Sequence, residues 1–311
     1  MKFVIQIFFL VFILLQSCKP DNSHTKNYID TLETNKQVED FIVTIDASYK
    51  GFKIIDTLPE IGYSICKHIS DSLGVKYFTK ADFDNNGLTD ILVVGNFYGK
   101  SILCILDTGN YKYTIKNITR GNSMDCKIAL VKQKDSLDMI EYYYRDYFRN
   151  YESVENPFDL YKKYLVYKFG DFIELNKKTS RHKIEKIEFF TTSCYGTCPV
   201  YDLDIKSDKS AVFNAKRFNE INSREVTGVY KTIITDKEYF KIIELINYID
   251  FVNLENKYSV GGTDNQTSTL KITYDNGKIK SIHDYGLIGT FGLNRVYQLI
   301  YYLRNNQKWT Q

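Results

Sequence analysis

The sequence predicts an α+β protein of two units, each a mainly antiparallel sheet with one or two packed helices. Three observations carry this expectation. The chain holds 26 Tyr and 20 Phe against 17 Gly and 4 Pro, a balance that favours regular aromatic-rich strands over long irregular loops. Short apolar runs recur between polar turns along most of the length. Helical periodicity is found at only a few places, beside groups of strands and not between successive ones.

The bulk composition agrees. With 43% hydrophobic and 25% charged residues the chain can bury a core, which excludes extended disorder and collagen-like architectures. A formal charge of +3 leaves no electrostatic footprint for nucleic acid, so no nucleic-acid partner is expected.

Residues 3–15 form an apolar run behind Lys2. As a helix it would span roughly 20 Å, too short for a hydrocarbon core of about 30 Å, so residues 1–17 read as a signal peptide. Its ending, Leu15-Gln16-Ser17-Cys18, resembles the lipobox of bacterial lipoproteins. That resemblance implies that Cys18 is lipidated, becomes the mature N-terminus and holds the protein on a membrane durably, because several acyl chains act together. The expected address is the bacterial cell envelope, the outer membrane before the inner. Residues 18–37 are then the lipidated Cys and a polar tether with a coil reach of roughly 25 Å.

Two compact units follow, 38–176 and 182–311, divided by the polar, basic stretch 176–183, which reads as a solvated linker. In the first, residues 59–73 predict a helix with Ile61, Ile65, Ile69 and Leu73 on one face and Gly74 as C-cap. Strands are expected at 90–96, 101–106, 111–118, 127–132, 139–144 and 164–169, an antiparallel meander. In the second, strands are expected at 184–190, 200–205, 211–213 and 226–234. Thr235 and Glu238 then form a capping-box pattern ahead of a stripe of Tyr239, Ile242, Ile243, Ile246 and Ile249. Asn276-Gly277 predicts a two-residue hairpin between strands 270–274 and 279–282. A last helix covers 291–304.

Two motifs could carry chemistry. Residues 82–90, Asp-Phe-Asp-Asn-Asn-Gly-Leu-Thr-Asp, place oxygen side chains at alternating positions around a glycine, which suits a hard cation such as calcium; Asp82, Asp84, Asn86 and Asp90 are the candidate ligands. The same residues also suit a turn whose Asp and Asn side chains cap their own backbone. The loop resembles the calcium loop of integrin-type propeller blades, but Val93 stands where an EF-hand needs Glu and only one copy is present.

The second motif is Cys194-Tyr195-Gly196-Thr197-Cys198-Pro199-Val200-Tyr201. In an exported protein the pair favours a structural disulfide between Cys194 and Cys198. A redox pair and a metal site completed by His182 or His283 are the alternatives. Cys66, Cys104 and Cys126 are expected as buried thiols. Together with Gly262-Thr263-Asp264, Asn276-Gly277-Lys278 and Asp284-Tyr285, this motif makes residues 183–309 resemble an uncharacterised bacterial lipoprotein domain family, marked by Cys-aromatic-Gly-x-Cys-Pro-x-Tyr. The resemblance implies no activity. Candidate binding residues are Tyr195, Tyr201, Asp264, His283 and Asp284.

The expected function is that of a lipid-anchored envelope protein acting as a binding or interaction module for a small ligand or an envelope protein. The alternative is an extracytoplasmic enzyme, thiol-redox or hydrolytic, built around Cys194 and Cys198. A hydrolase would draw on Ser193, His283 and Asp284.

Overall fold

The computed structural model describes residues 27–54, 64–97, 99–120, 126–144 and 160–311, with the backbone alone at 64–67 and 100. Cys18 and the signal peptide lie outside the described residues, as do positions 59–63 of the expected first helix.

The first half is built on two antiparallel sheets. One contains β1 (Lys53–Ile54), β2 (Phe78–Ala81), β3 (Asp90–Asn96), β4 (Lys100–Asp107) and β5 (Tyr113–Asn117), with β1 and β2 both pairing with β3. The other is a meander of β6 (Lys127–Lys134), β7 (Leu137–Tyr144), β8 (Tyr161–Lys168) and β9 (Asp171–Glu174). The continuous apolar runs in β3 and β4 follow from burial on both faces. Leu92, Val94, Ile102 and Leu106 face Ile140, Tyr142, Leu165 and Phe172 of the second sheet. Ile91, Val93, Leu103 and Ile105 pack on the other side against helix α1 (Asn35–Ile45).

This helix was not expected, although its start is written locally. The Gln37 N–H donates to Thr34 Oγ1 and the Thr34 N–H to Gln37 Oε1, a complete capping box ahead of a Val38, Phe41, Ile42 stripe. The expected tether is corrected too. Ile29 and Leu32 are 0% and 2% exposed, and Asn27 Nδ2 donates to Thr89 O, so the fold begins by Asn27 and not near 38. Of the predicted helix at 59–73, α2 (Ser64–Ser72) is described.

The second half is a seven-stranded sheet in the order β13-β12-β11-β10-β15-β16-β14. These strands are β10 (Ile184–Thr191), β11 (Val200–Lys206), β12 (Ser210–Ile221), β13 (Arg224–Ile233), β14 (Lys257–Ser259), β15 (Thr267–Tyr274) and β16 (Lys278–Tyr285). Neighbours are antiparallel except the β14–β16 pair. Helices α3 (Asp236–Tyr248) and α4 (Phe291–Asn306) cover one face through Tyr239, Ile242, Ile246, Leu293, Val296 and Ile300. The opposite face is solvated and carries a charge ladder, Lys186 to Glu188 and Asp204 at 2.9 and 3.0 Å and Lys271 to Glu188 at 3.1 Å.

Two local expectations are corrected here. Thr235 makes no side-chain cap; its N–H donates instead to Gln307 Oε1 at 2.9 Å, so the start of α3 is fixed by the end of α4. The 274–278 hairpin has three loop residues, because Tyr274 pairs with Lys278, and Asp275 joins Asn276 and Gly277 at positive φ.

The linker is not free chain. Asn176 N–H and Nδ2 donate to the Tyr248 hydroxyl and carbonyl, and the His182 N–H donates to Asn247 Oδ1. His182 Nδ1 lies 2.6 Å from Asp275 Oδ2. Just before it, the β8–β9 turn, Phe169-Gly170, has positive φ at both residues and drives the Phe169 ring onto Tyr248 of α3, 5.6 Å between centroids. The two halves therefore meet over packed side chains.

Candidate functional site

Three places gather chemistry-bearing side chains, the first being the loop that joins β2 to β3. Asp82, Asp84 and Asp90 each bring a carboxylate oxygen within 4.8 Å of the others. The loop also caps itself. Asp82 accepts from the N–H groups of Asn86 and Gly87 at 3.1 and 2.8 Å, and Asn86 Oδ1 accepts from Leu88 N–H at 2.7 Å. Asp90 is 0% exposed and accepts from Asp107 N–H and Phe83 N–H at 2.8 and 2.9 Å. Burial pushes its pKa up to about 7, and the charges of Asp84 and Asp82 add to the rise while the two N–H groups oppose it. Burial raises Asp84 as well, with Asp82 and Asp107 as like-charged neighbours. Three carboxylates thus converge, while the Oδ1 of the fourth predicted ligand, Asn86, is turned to backbone.

The second place is the cysteine turn. Cys194 and Cys198 form a disulfide, with their α-carbons 5.7 Å apart. Gly196 sits at φ 150, its N–H donating to Cys194 O, and Tyr195 N–H donates to Asp264 O, which pins the turn to the loop before β15. Residues after Cys198 run extended into β11, so no helix N-terminus faces the sulfurs. Tyr195 is 88% exposed and Asp264 is exposed with φ 69.

The five predicted binding residues do not share one site. Tyr201 is 1% exposed, packed between Phe189 and Phe213 with the Arg304 guanidinium 5.3 Å from its ring centroid, and burial pushes its phenol well up. His283 is exposed, with Nδ1 3.0 Å from Thr269 Oγ1. Asp284, the next residue on β16, is 0% exposed and accepts from Ile288 and Gly289 N–H at 2.8 and 3.0 Å. Successive strand residues point to opposite faces, so Ser193, His283 and Asp284 form no triad. His182 sits at the far end of β10 from the disulfide, and among the described residues the one cluster with metal-ligand geometry is the Asp82 group.

Asp284 belongs to a polar row across the buried face, since Ser268 pairs with both Asp284 and Thr191. Over the end of this row opens a pocket of about 170 Å³, with Thr191, Pro199, Tyr201, Gln266, Ser268 and Tyr297 in its walls. The remaining cysteines divide. Cys104 is a buried thiol held well above its ordinary pKa by burial, as expected, whereas Cys126 is disulfide-bonded and corrects the expectation. The side chain of Cys66 lies outside the described residues.

The third place was invisible in the sequence because both halves build it. A cleft of about 1070 Å³ is lined by Arg120, Tyr142 and Tyr144 from the first half and by Tyr258, Phe291 and Asn294 from the second. At its edge Glu174 of β9 accepts from the Phe291 and Gly292 N–H groups of α4 at 2.9 and 2.8 Å and from Lys163 Nζ at 2.9 Å. Burial alone would raise this carboxyl; Lys163 and the two N–H groups outweigh it and leave it below the ordinary range. Arg120 Nη2 donates to Leu287 O at 3.2 Å, and its guanidinium lies 4.7 Å from the Phe291 ring centroid. Burial lowers Arg120 and raises Asp284, each countered in part by the other's charge.

Residues 185–304 match the family described as "Domain of unknown function (DUF6438)". The matched stretch takes in the cysteine turn, the polar row and most of α4. The second half of the chain is thus similar to a domain family of unknown function. No curated protein and no solved structure matches the chain.

Proposed function

We propose that this is a lipid-anchored protein of the bacterial cell envelope, held by Cys18, that binds a small ligand or a segment of an envelope protein in the cleft between its halves. The observation that carries the reading is the cleft of about 1070 Å³, a size typical of ligand sites or larger, walled by aromatic rings from both halves. Two of its lining charges are engaged with the scaffold: Lys163 with Glu174, and Arg120 with Leu287 O and the Phe291 ring. Such groups shape and rigidify a binding surface, whereas turnover calls for titratable groups free to exchange protons with a substrate. The half-buried setting of Cys194 and Cys198, with no helix N-terminus to lower a thiol pKa, supports a staple over a thiol-redox centre.

The test is native mass spectrometry of the mature protein released from membranes in mild detergent. A mass adduct should be present on the wild type and absent from Ser259→Trp, which fills the cleft from its exposed rim. Adduct-free spectra for both proteins would remove the support for a captured small ligand. A second reading concerns the β2–β3 loop, where the convergence of Asp82, Asp84 and Asp90 favours a weak calcium site that would relieve the repulsion among the carboxylates.

A further inference from the structure

We propose that the junction between the β8–β9 turn and helices α3 and α4 is a second site, for a phosphate-type oxyanion, formed by Lys116, Lys241 and Arg295. None of the three lines the cleft, although Asp171 and Gln298 beside them do, and the proposal does not depend on ligand binding there. Three cationic groups from three elements converge on Gly170. Lys116 Nζ, from β5, donates to Gly170 O at 2.8 Å. A β-carbon placed on Gly170 would lie 2.8 Å from Arg295 Nη2 and 3.8 Å from Lys241 Nζ.

Part of this charge has a structural task. Arg295 Nε donates to Phe169 O at 3.0 Å and Nη1 to Gln298 Oε1 at 2.8 Å, so together with Lys116 it ties down the turn carbonyls. The rest has none. Lys241 Nζ and Arg295 Nη2 meet no protein acceptor among the described residues, although Arg295 is 8% exposed and Lys241 is half-buried. Among the described residues Asp171, 4.0 Å from Lys116 Nζ, is the carboxylate in ion-pair range of the cluster, which leaves an excess of two positive charges there.

The environment feels that excess. Burial and then the charge of Arg295 hold Lys241 below its ordinary pKa; Lys237 and Lys116 add to this and Glu238 opposes it. Burial lowers Lys116 too, with Asp171 opposing and Arg295 reinforcing. The bonds to the turn carbonyls account for Lys116 and Arg295 but not for Lys241, and an anion would relieve the repulsion among the three. The unpartnered Nη2 of a guanidinium beside two ammonium groups matches a tetrahedral dianion better than a single carboxylate, since it offers charged donors from three separate directions. The oxyanion could be soluble phosphate or the headgroup of an anionic phospholipid.

The experiment uses the mature protein in nonionic detergent and reads melting temperature against inorganic phosphate, with chloride at matched ionic strength as reference. Phosphate should give a saturable rise, weakened at least tenfold in midpoint by Lys241→Met and by Arg295→Lys, and unchanged by Lys134→Met on an exposed strand end. Lys241→Met should melt no lower than wild type without phosphate. Vesicle flotation with the unlipidated Cys18→Ala protein separates the sources: Lys241-dependent flotation on phosphatidylglycerol but not phosphatidylcholine marks a headgroup, and no flotation beside an intact phosphate response marks a soluble anion. Equal phosphate responses from Lys241→Met and Lys134→Met, or a chloride response equal to phosphate, would overturn the proposal.

Discussion

Replacing Glu174 by Ala should uncouple the two halves. Its carboxylate is 26% exposed and receives two backbone N–H groups of α4 together with Lys163. Each charge-assisted bond of this kind contributes about 1.5 kcal/mol, and the helix macrodipole adds to both, so a loss of about 3 kcal/mol is expected. At about 2.1 cal/mol/K per residue, that lowers Tm by roughly 5 °C if the whole chain melts as one unit and by roughly 10 °C if the second half melts alone. Glu174→Gln keeps an acceptor but not the charge and should cost about half as much. The control is Glu185→Ala, which also removes bonds to two N–H groups, those of Asn276 and Gly277, but on an exposed hairpin; it should cost under about 1 kcal/mol. The pH dependence has a fixed sign. The folded protein holds Glu174 below the ordinary value of 4.5, so the unfolded chain takes up the proton first as pH falls. The stabilisation is therefore whole above about pH 4.5 and declines below it, and the gap between wild type and Glu174→Ala should narrow there. Calorimetry at pH 7 and pH 3.5 measures this. Equal losses for Glu174→Ala and Glu185→Ala at pH 7, or a gap that widens in acid, would refute the reasoning.

Three further outcomes are expected. Cys18→Ala should release the mature protein from the membrane fraction, and variant protein still pelleting after a high-salt wash would mean that lipid is not the anchor. Calcium at several millimolar should raise the Tm of the wild type but not of Asp84→Ala; an equal shift in both leaves the β2–β3 loop as a self-capped turn. Cys194→Ser/Cys198→Ser should lower stability by about 2 kcal/mol from loop entropy and keep any ligand binding found, while the wild type keeps its bond in millimolar glutathione and does not reduce insulin; ready exchange would instead argue for redox chemistry.

Much of the strand framework was legible because its signals are local. β3 was expected at its observed limits, and β10, β11, β15, β16 and α4 within a few residues. What escaped was short or conditional. β9 spans Asp171–Glu174, and its reason to exist is pairing with β8 and reaching α4, neither visible in four residues. α1 hid behind a polar stretch although Thr34 and Gln37 announced it, whereas the equally good pattern at Thr235 was overruled by Gln307. Sequence also supplied the residues of the Asp82 loop and the Cys194–Cys198 bond, because each motif is contiguous. It could not supply the cleft or the Lys116, Lys241, Arg295 cluster. Those depend on the β8–β9 turn lodging against α3 and α4, more than seventy residues away in sequence.

The early start of the fold shortens the leash. With Asn27 already hydrogen-bonded to Thr89, the stretch between the proposed anchor Cys18 and the described fold is at most residues 19–26. Eight residues span at most about 29 Å even at full extension, less than the width of a small domain. Under the proposed lipid anchor, so short a mooring would keep the folded body at the bilayer surface, so that a partner would have to come to the same membrane or rest on it. Lengthening the 19–26 stretch with a flexible insert would then be the direct way to widen that reach.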